Sequence, residues 1–180
     1  MKSAAVEALL RGEVIAVPTE AVYGLSVDPR NLQAVQRLID LKQRNPAKGL
    51  ILVASDFSQL EAYLEPLPPA IQDQLFATWP GPFTWVVPAK PSVSPLLRGQ
   101  FSSIAVRVTA HPVLASLCKA VQGPLVSSSA NPEGLPPATT EKDLRAYFGD
   151  DLLLVPGALG GLAKPTEIRD AMTGSLIRGQ

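Results

Sequence analysis

Three cations fall within seven positions of this chain: Lys42, Arg44 and Lys48, just ahead of an apolar run. Such a cluster is either a solvated basic loop or a clamp for a polyphosphate, which demands cationic donors at close quarters. Lys42 also continues a helical stripe (Leu32, Val35, Ile39) by another three residues. A lysine at that position either snorkels outward or points into a cleft, and periodicity alone favours snorkelling. Arg107 sits between Val106 and Val108 in “SSIAVRVTAHP”. In a central strand an unpaired arginine is very costly, so it must meet a carboxylate or a phosphate. Both partners stay open at this point. Thr19 and Glu20 close the first apolar run after Pro18, and “LVSSSAN” ends another in hydroxyls and an amide. With a period of two, Ser127 and Ser129 face one side and Ser128 the other, with Asn131 just beyond. Together these groups describe a site of cations, hydroxyls and an amide without an obvious general base. That combination suits phosphate chemistry run by positioning and electrostatics.

Other chemistries lack their residues. No G-x-x-x-x-G-K-[ST] or G-x-G-x-x-G is present, and “GALGGLAKP” has the wrong spacing for either. The single histidine, His111, precedes a proline at a helix entrance, where a structural role is expected. One histidine cannot build a His-rich metal site, and no G-x-S-x-G elbow accompanies it. Cys118 falls on the apolar face of a helical segment, the usual place for a small buried residue.

The elements that must position these groups alternate. “SAAVEALLRG” reads as a helix capped by Ser3 and stopped at Gly12, and “VIAV” (14–17) as a buried strand running into “PTEAVYGL”. “NLQAVQRLIDLKQR” reads as a helix whose face Leu38 and Leu41 widen, “GLILVA” (49–54) as a strand, and “DFSQLEAYL” as a helix capped by Asp56. A helix from about Pro69 to before Pro80 precedes the strands “FTWVVPA” and “IAVRV” (104–108). “PVLASLCKAVQ” opens on Pro112 as an amphipathic helix, “PLVSSS” is the next strand, and “TTEKDLRAYFG” carries a Thr140–Asp143 capping pattern with a Gly149 stop. Strands over 152–155, 166–170 and 175–179 finish the chain, the last two joined as a hairpin across “AMTG”. The alternation favours an open twisted α/β sheet, mixed in direction, with ligands outside the strand ends.

Composition narrows the class. The 180 residues suit one domain, and 46% apolar with 18% charged residues excludes disorder and coiled coil. Sixteen basic and sixteen acidic residues cancel, which weighs against a protein devoted to gripping nucleic-acid backbone. There is no apolar run long enough for a membrane span and no signal-peptide core, and one cysteine favours a reducing, cytoplasmic setting.

Six blocks, “VPTEAVYGL”, “LKQR” with “KGLILV”, “WPGPFTWVVPA”, “SIAVRVTAHP”, “LVSSSAN” and “PTEIRD”, resemble in this order those of the YrdC-like family, from about Ser3 to Arg178. The match looks closest to its short bacterial form. The resemblance implies a single domain over 1–180, an α/β open twisted mixed sheet with flanking helices around a positively charged concave cavity. It implies a nucleotidyltransferase that turns L-threonine, bicarbonate (or CO₂) and ATP into L-threonylcarbamoyl-adenylate and pyrophosphate. The product would serve partner proteins that modify tRNA adenosine beside the anticodon.

Carried onto this sequence, the resemblance implies that Lys42 and Arg44 (the K-x-R pair) are catalytic and contact ATP phosphates, with Lys48 at an often basic position. Ser129 and Asn131 (the S-x-N pair) fall near the nucleotide, and Thr84, Thr166 and Arg178 supply further nucleotide contacts. Thr19, Arg107 and Ser127 hold threonine, Arg107 gripping its carboxylate bidentately. Mg²⁺ is expected on ATP itself rather than at a protein metal site. Thr166 stands where serine is commoner, and “LILVAS” lacks a histidine that longer members carry. Those members add a further C-terminal domain, so a lid is expected from elsewhere. Weak RNA binding is an expected side contact. The competing readings are a double-stranded RNA- or ribosome-binding module, and another carbamoyl or adenylyl transferase on the same fold.

Overall fold

A computed structural model describes residues 3–178. Nine strands form one mixed sheet: β1 (Ile15–Pro18), β2 (Tyr23–Val27), β3 (Ile51–Ala54), β4 (Phe83–Pro88), β5 (Ser103–Val108), β6 (Leu125–Ser129), β7 (Leu153–Leu154), β8 (Glu167–Asp170) and β9 (Leu176–Arg178). Their spatial order is β7-β1-β2-β6-β3-β5-β4-β8-β9, with β1/β7, β3/β5 and β4/β8 parallel and the other pairs antiparallel. The helices are α1 (Ala4–Leu10), α2 (Leu32–Leu41), α3 (Pro69–Phe76), α4 (Pro95–Arg98), α5 (Pro112–Val121) and α6 (Glu141–Phe148).

Their ends follow the chemistry of orphan backbone groups. Ser3 and Asn31 accept from Val6 N and Ala34 N at the starts of α1 and α2, and Thr140 and Asp143 close a reciprocal capping box on α6. Pro112 opens α5, where its missing N–H costs nothing.

The sheet register explains where the core stops. Leu25, Leu52, Val106, Val126 and Trp85 point to one face and pack with Val35, Leu38 and Leu75 of α2 and α3. The opposite face carries Ile15, Val17, Val53 and Leu125, covered by Val6, Leu9, Leu114, Leu117 and Cys118 of α1 and α5. Along the same rows that second face continues through Gly24, Ser127, Ile51, Arg107 and Ala105, paired across strands as Gly24–Ser129, Ile51–Ser127, Ile51–Ala105 and Val53–Arg107. Small and polar side chains replace apolar ones there, and the face hollows out.

Four expectations need correction. Residues 23–27 form a full strand paired on both sides, although Gly24 and Ser26 are poor strand formers, because burial between β1 and β6 overrides propensity. “DFSQLEAYL” makes two 3₁₀ turns, Phe57–Gln59 and Glu61–Tyr63, which direct both Leu60 and Leu64 into the core. Leu32, counted on the buried stripe, is 45% exposed, and Ala34 takes its place on the face with Val35, Leu38 and Ile39. The expected strand 152–155 shortens to Leu153–Leu154, with Val155 N still donating to Ala16 O at 2.9 Å. The hairpin of β8 and β9 stands as expected, with Gly179 of that segment outside the described residues. Among the described residues no helix is long and apolar enough to cross a membrane.

Candidate active site

Two adjoining hollows occupy the uncovered face. The smaller, about 130 Å³, is lined by Thr19, Gly24, Arg107, Ser127, Ser129 and Thr166, among others. The larger, about 440 Å³, is lined by Arg44, Lys48, Val86, Phe101, Asp170 and Ile177, among others. Ile51 and Arg178 line both, so the two adjoin. Arg44 and Ser129, 85 positions apart in the sequence, therefore line neighbouring hollows on one face. A groove of about 410 Å³ between α1, α5 and β7 is apolar and lined by no charged side chain.

The small hollow stays open because of Gly24. A Cβ at this position would lie 3.1 Å from the Thr19 methyl, 3.3 Å from the Ser128 carbonyl and 3.6 Å from Ser127 Oγ. Thr19, in the turn after β1, donates its hydroxyl to Val22 O at 2.6 Å, so towards a guest its oxygen is an acceptor. Ser127 and Ser129 share the hollow's side of β6, as their alternation requires. Asn131 stands outside both linings: its Nδ2 donates to Pro132 O at 3.0 Å, while its buried Oδ1 has no partner.

Arg107 is 4% exposed and its partners are spelled out atom by atom. Its Nη1 donates to Thr84 Oγ1 at 2.9 Å and Thr166 Oγ1 at 3.1 Å, and its Nη2 to Glu20 Oε2 at 3.4 Å. Its Nε lies 3.3 Å from Glu20 Oε1, close enough for an ion pair but without hydrogen-bond geometry. Burial pulls the guanidinium below its ordinary range and Glu20 opposes that pull. Thus the arginine has a structural carboxylate and also faces the hollow. The bidentate grip on a substrate carboxylate needs revision, since both Nη1 hydrogens and one on Nη2 are taken. Thr84, read from the resemblance as a nucleotide contact, is walled off beneath Arg107 and lines neither hollow. Thr166 lines the small hollow beside it.

Lys42 overturns the periodicity argument. It is 1% exposed, at the C-terminal cap of α2, and its ammonium donates to Ser129 O instead of snorkelling. Burial, reinforced by Arg44, pulls its pKa down to about 8. It too lines neither hollow. Arg44 donates through Nε and Nη2 to Gly49 O at 3.2 and 2.9 Å, and Arg178 through the same atoms to Thr166 O at 3.2 and 2.9 Å. Burial depresses both guanidinium groups, and Arg178 is pushed further by Arg107 and Arg44. Lys48 pairs with Glu133, whose carboxylate also accepts from Asn45 N at 2.8 Å. Among the described residues no carboxylate forms an ion pair with Lys42, Arg44 or Arg178. Cations that are half-desolvated, mutually repelling and held only on carbonyls make a receptor for anions.

Sequence reasoning named Glu20 beside Thr19 but gave it no role, and passed over Gly24, Thr109 and Glu133. Glu20 belongs to the same short block as Thr19, and a buried arginine elsewhere required a carboxylate somewhere. Its partner's position 87 residues away is a product of topology alone.

Comparison with known proteins gives the lineage. The family profile Sua5/YciO/YrdC, described as “Telomere recombination”, matches residues 7–178. A Chromohalobacter salexigens protein named threonylcarbamoyl-AMP synthase is 53% identical over 174 residues, 97% of this chain and 94% of the relative. A Coxiella burnetii protein of the same name is 50% identical over 175 residues, covering 97% and 94%. The crystal structure of P. abyssi Sua5 complexed with L-threonine superposes with a TM-score of 0.87 at 28% identity. That match covers 97% of this chain and 52% of the Sua5 chain, so this chain spans about half of it. With the profile covering nearly every described residue, the chain belongs to the Sua5/YciO/YrdC family.

Proposed function

We propose that this chain is a threonylcarbamoyl-AMP synthase, joining L-threonine, bicarbonate or CO₂, and ATP into threonylcarbamoyl-adenylate with release of pyrophosphate. The observation that carries the reading is the pair of hollows. One is of amino-acid size with a charge-compensated arginine, Arg107, and it adjoins at Ile51 and Arg178 a larger one where, among the described residues, Arg44 and Arg178 stand without ion-pair partners. The names of the relatives and the threonine bound by P. abyssi Sua5 support the same assignment.

In this reading threonine occupies the small hollow, its carboxylate towards Arg107 and Thr166 and its hydroxyl among Thr19 and Ser127. The triphosphate lies against Arg44, Lys48 and Arg178, with Lys42 contributing charge from behind the end of β6 and Ser129 and Asn131 lying at the nucleotide's edge. The threonine nitrogen attacks the carbon of CO₂, or of bicarbonate with loss of hydroxide, and gives up a proton to form a carbamate. A carbamate oxygen then attacks the α-phosphorus, and the bond to the bridging oxygen of pyrophosphate breaks. Arg44 and Arg178 stabilise charge as it accumulates on the phosphoryl oxygens and the leaving group. Among the described residues no trio of His, Cys, Asp or Glu is grouped to hold a metal. Mg²⁺ is assigned to the triphosphate, whose charge it would neutralise, and no step here depends on a protein ligand to it. The product supplies tRNA-modification proteins in the cytoplasm, and one domain over 1–180 suffices for making it.

Pyrophosphate release from ATP tests this. It is expected to require threonine and bicarbonate together. Release indifferent to either would assign the chain to another carbamoyl or adenylyl transferase. No release, with tight salt-sensitive binding of double-stranded RNA instead, would replace the enzyme by a binding module.

A further inference from the structure

Glu20 lies in the turn between β1 and β2, yet is only 8% exposed. The reason is a strap, residues 156–165, that runs over the turn. Gly160 N donates to Thr19 O at 2.8 Å and Leu162 N to Glu20 O at 3.0 Å. The approach is so close that a Cβ on Gly160 would stand 2.8 Å from Glu20 Cα. The side chain is fixed as firmly as the backbone. Its Oε1 accepts from Thr109 Oγ1 at 2.7 Å and its Oε2 from Arg107 Nη2.

This arrangement decides what Arg107 can offer. Of five N–H groups on a guanidinium, two go to Thr84 and Thr166, one goes to Glu20, and Nε faces Glu20 Oε1. One Nη2 hydrogen is left for the hollow. Thr84 Oγ1 and Thr166 Oγ1 lie 3.4 Å apart and either can donate; with Thr84 as the donor, the Thr166 proton is free to point at a guest. A carboxylate can therefore bridge Nη2 and the Thr166 hydroxyl. Equally, the Glu20 charge cancels that of Arg107. Among the described residues the small hollow then keeps one cation without an ion-pair partner, Arg178 at its border with the large one, whereas the large one is lined by Arg44, Arg98 and Arg178 and by the Glu133-paired Lys48.

We propose that Glu20 is a positioning and specificity residue: it locks Arg107 in one pose and neutralises it, so the small hollow favours a zwitterionic amino acid over phosphate. This rests on the small hollow being the amino-acid site. Two neighbouring hollows that must sort a small zwitterion from a polyanion need different electrostatics. Glu20 leaves the small one only the cation it shares with the large one, Arg178, without touching substrate itself.

The test is threonine binding by calorimetry to the full chain and its Glu20→Gln variant, with and without inorganic phosphate, beside the pyrophosphate-release assay. Glu20→Gln keeps the volume and an acceptor but removes the charge. Its threonine affinity is expected to fall by about 10- to 100-fold, as for a modest misplacement of a binding group, with KM for ATP nearly unchanged. Phosphate is expected to compete with threonine in the variant and not in the native protein. Should Glu20→Gln fail to fold, Glu20→Asp, which keeps the charge but withdraws it, is read the same way: weaker for threonine, still indifferent to phosphate. Unchanged threonine affinity, equal shifts in both KM values, or a Gln variant blind to phosphate overturns the proposal. If the native protein binds threonine but releases no pyrophosphate, the catalytic reading falls while the Glu20 comparison still decides this one. If it binds no threonine, both fall.

Discussion

The ammonium of Lys42, at the end of α2, donates to the carbonyl of Ser129, at the end of β6 and 87 residues further along the chain. The backbone of the same lysine accepts from Glu133 N at 2.7 Å. Lys42 thereby clasps both sides of the turn that carries Asn131, and it does so as a buried cation.

That burial has a pH signature. The folded pKa of about 8 lies below the ordinary 10.5, so between these values the unfolded chain holds a proton that the folded chain has released. Stability contributed by this group is accordingly smallest below pH 8 and rises as pH climbs towards 10.5. A bound triphosphate acts in the opposite sense, favouring the ammonium. Nucleotide binding near pH 8 is expected to take up a fraction of a proton, and ATP affinity to weaken as pH rises through 8. Calorimetry in buffers of differing ionisation enthalpy reads the uptake directly, and Lys42→Met should abolish it. Uptake that survives in the variant would place the titrating group elsewhere.

Four arginines line the two hollows, and Arg98, in the large one, is tied to Val93 O and Phe101 O; the other three divide the hollows between them. Arg107 lines only the small one, Arg44 only the large one, and Arg178 both. Loss of a hydrogen bond to a charged group is worth about 1.5–3 kcal/mol, or about 10- to 100-fold in affinity. Arg107→Ala is expected to raise KM for threonine by that factor with little effect on ATP, and Arg44→Ala to do the reverse. Arg178→Ala should raise both. Steady-state kinetics with each substrate varied in turn gives the pattern. Equal effects of Arg107→Ala on both substrates would remove it from the amino-acid end.

Gly24 predicts the size limit of the small hollow. Gly24→Ala brings a methyl to 3.1 Å from the Thr19 methyl and 3.3 Å from a backbone carbonyl, inside a space of about 130 Å³. Either the turn shifts or the cavity shrinks, and overpacking of this kind costs about 1–3 kcal/mol. KM for threonine is expected to rise at least as far as stability falls, with ATP binding preserved. A variant that loses stability but keeps its threonine KM would show that Gly24 serves the sheet rather than the cavity.

How much of this the sequence disclosed depends on the range of the relationship. The facing of Ser127 and Ser129 needed only the pleat of an unbulged strand, and it holds. The caps at Ser3, Asn31 and Thr140 are equally local. Lys42 was placed correctly on the buried side of its helix, but periodicity is silent about what lies opposite, and the acceptor that keeps it inside belongs to β6. β2 was partly hidden by its function: Gly24, whose missing side chain leaves the cavity room, is also a poor strand former. The pairing of Glu20 with Arg107 joins a turn to a distant strand through a nine-stranded sheet, and local patterning does not encode it.

Thr84 separates two readings of the same hydroxyl. As a nucleotide contact, its loss would weaken ATP. As it stands, Oγ1 accepts from Arg107 Nη1 at 2.9 Å in a buried setting and reaches neither hollow. Thr84→Val keeps the shape and removes the acceptor, leaving a buried guanidinium N–H without a partner at a cost of about 1–3 kcal/mol. For a chain of this size each kcal/mol lowers Tm by about 2–4 °C. Thermal unfolding should therefore show a loss of about 2–12 °C, while KM for threonine rises because Arg107 has lost one of its two Nη1 anchors. KM for ATP should stay put, and Thr84→Ser should restore both quantities. A rise in KM for ATP alone would return Thr84 to the nucleotide.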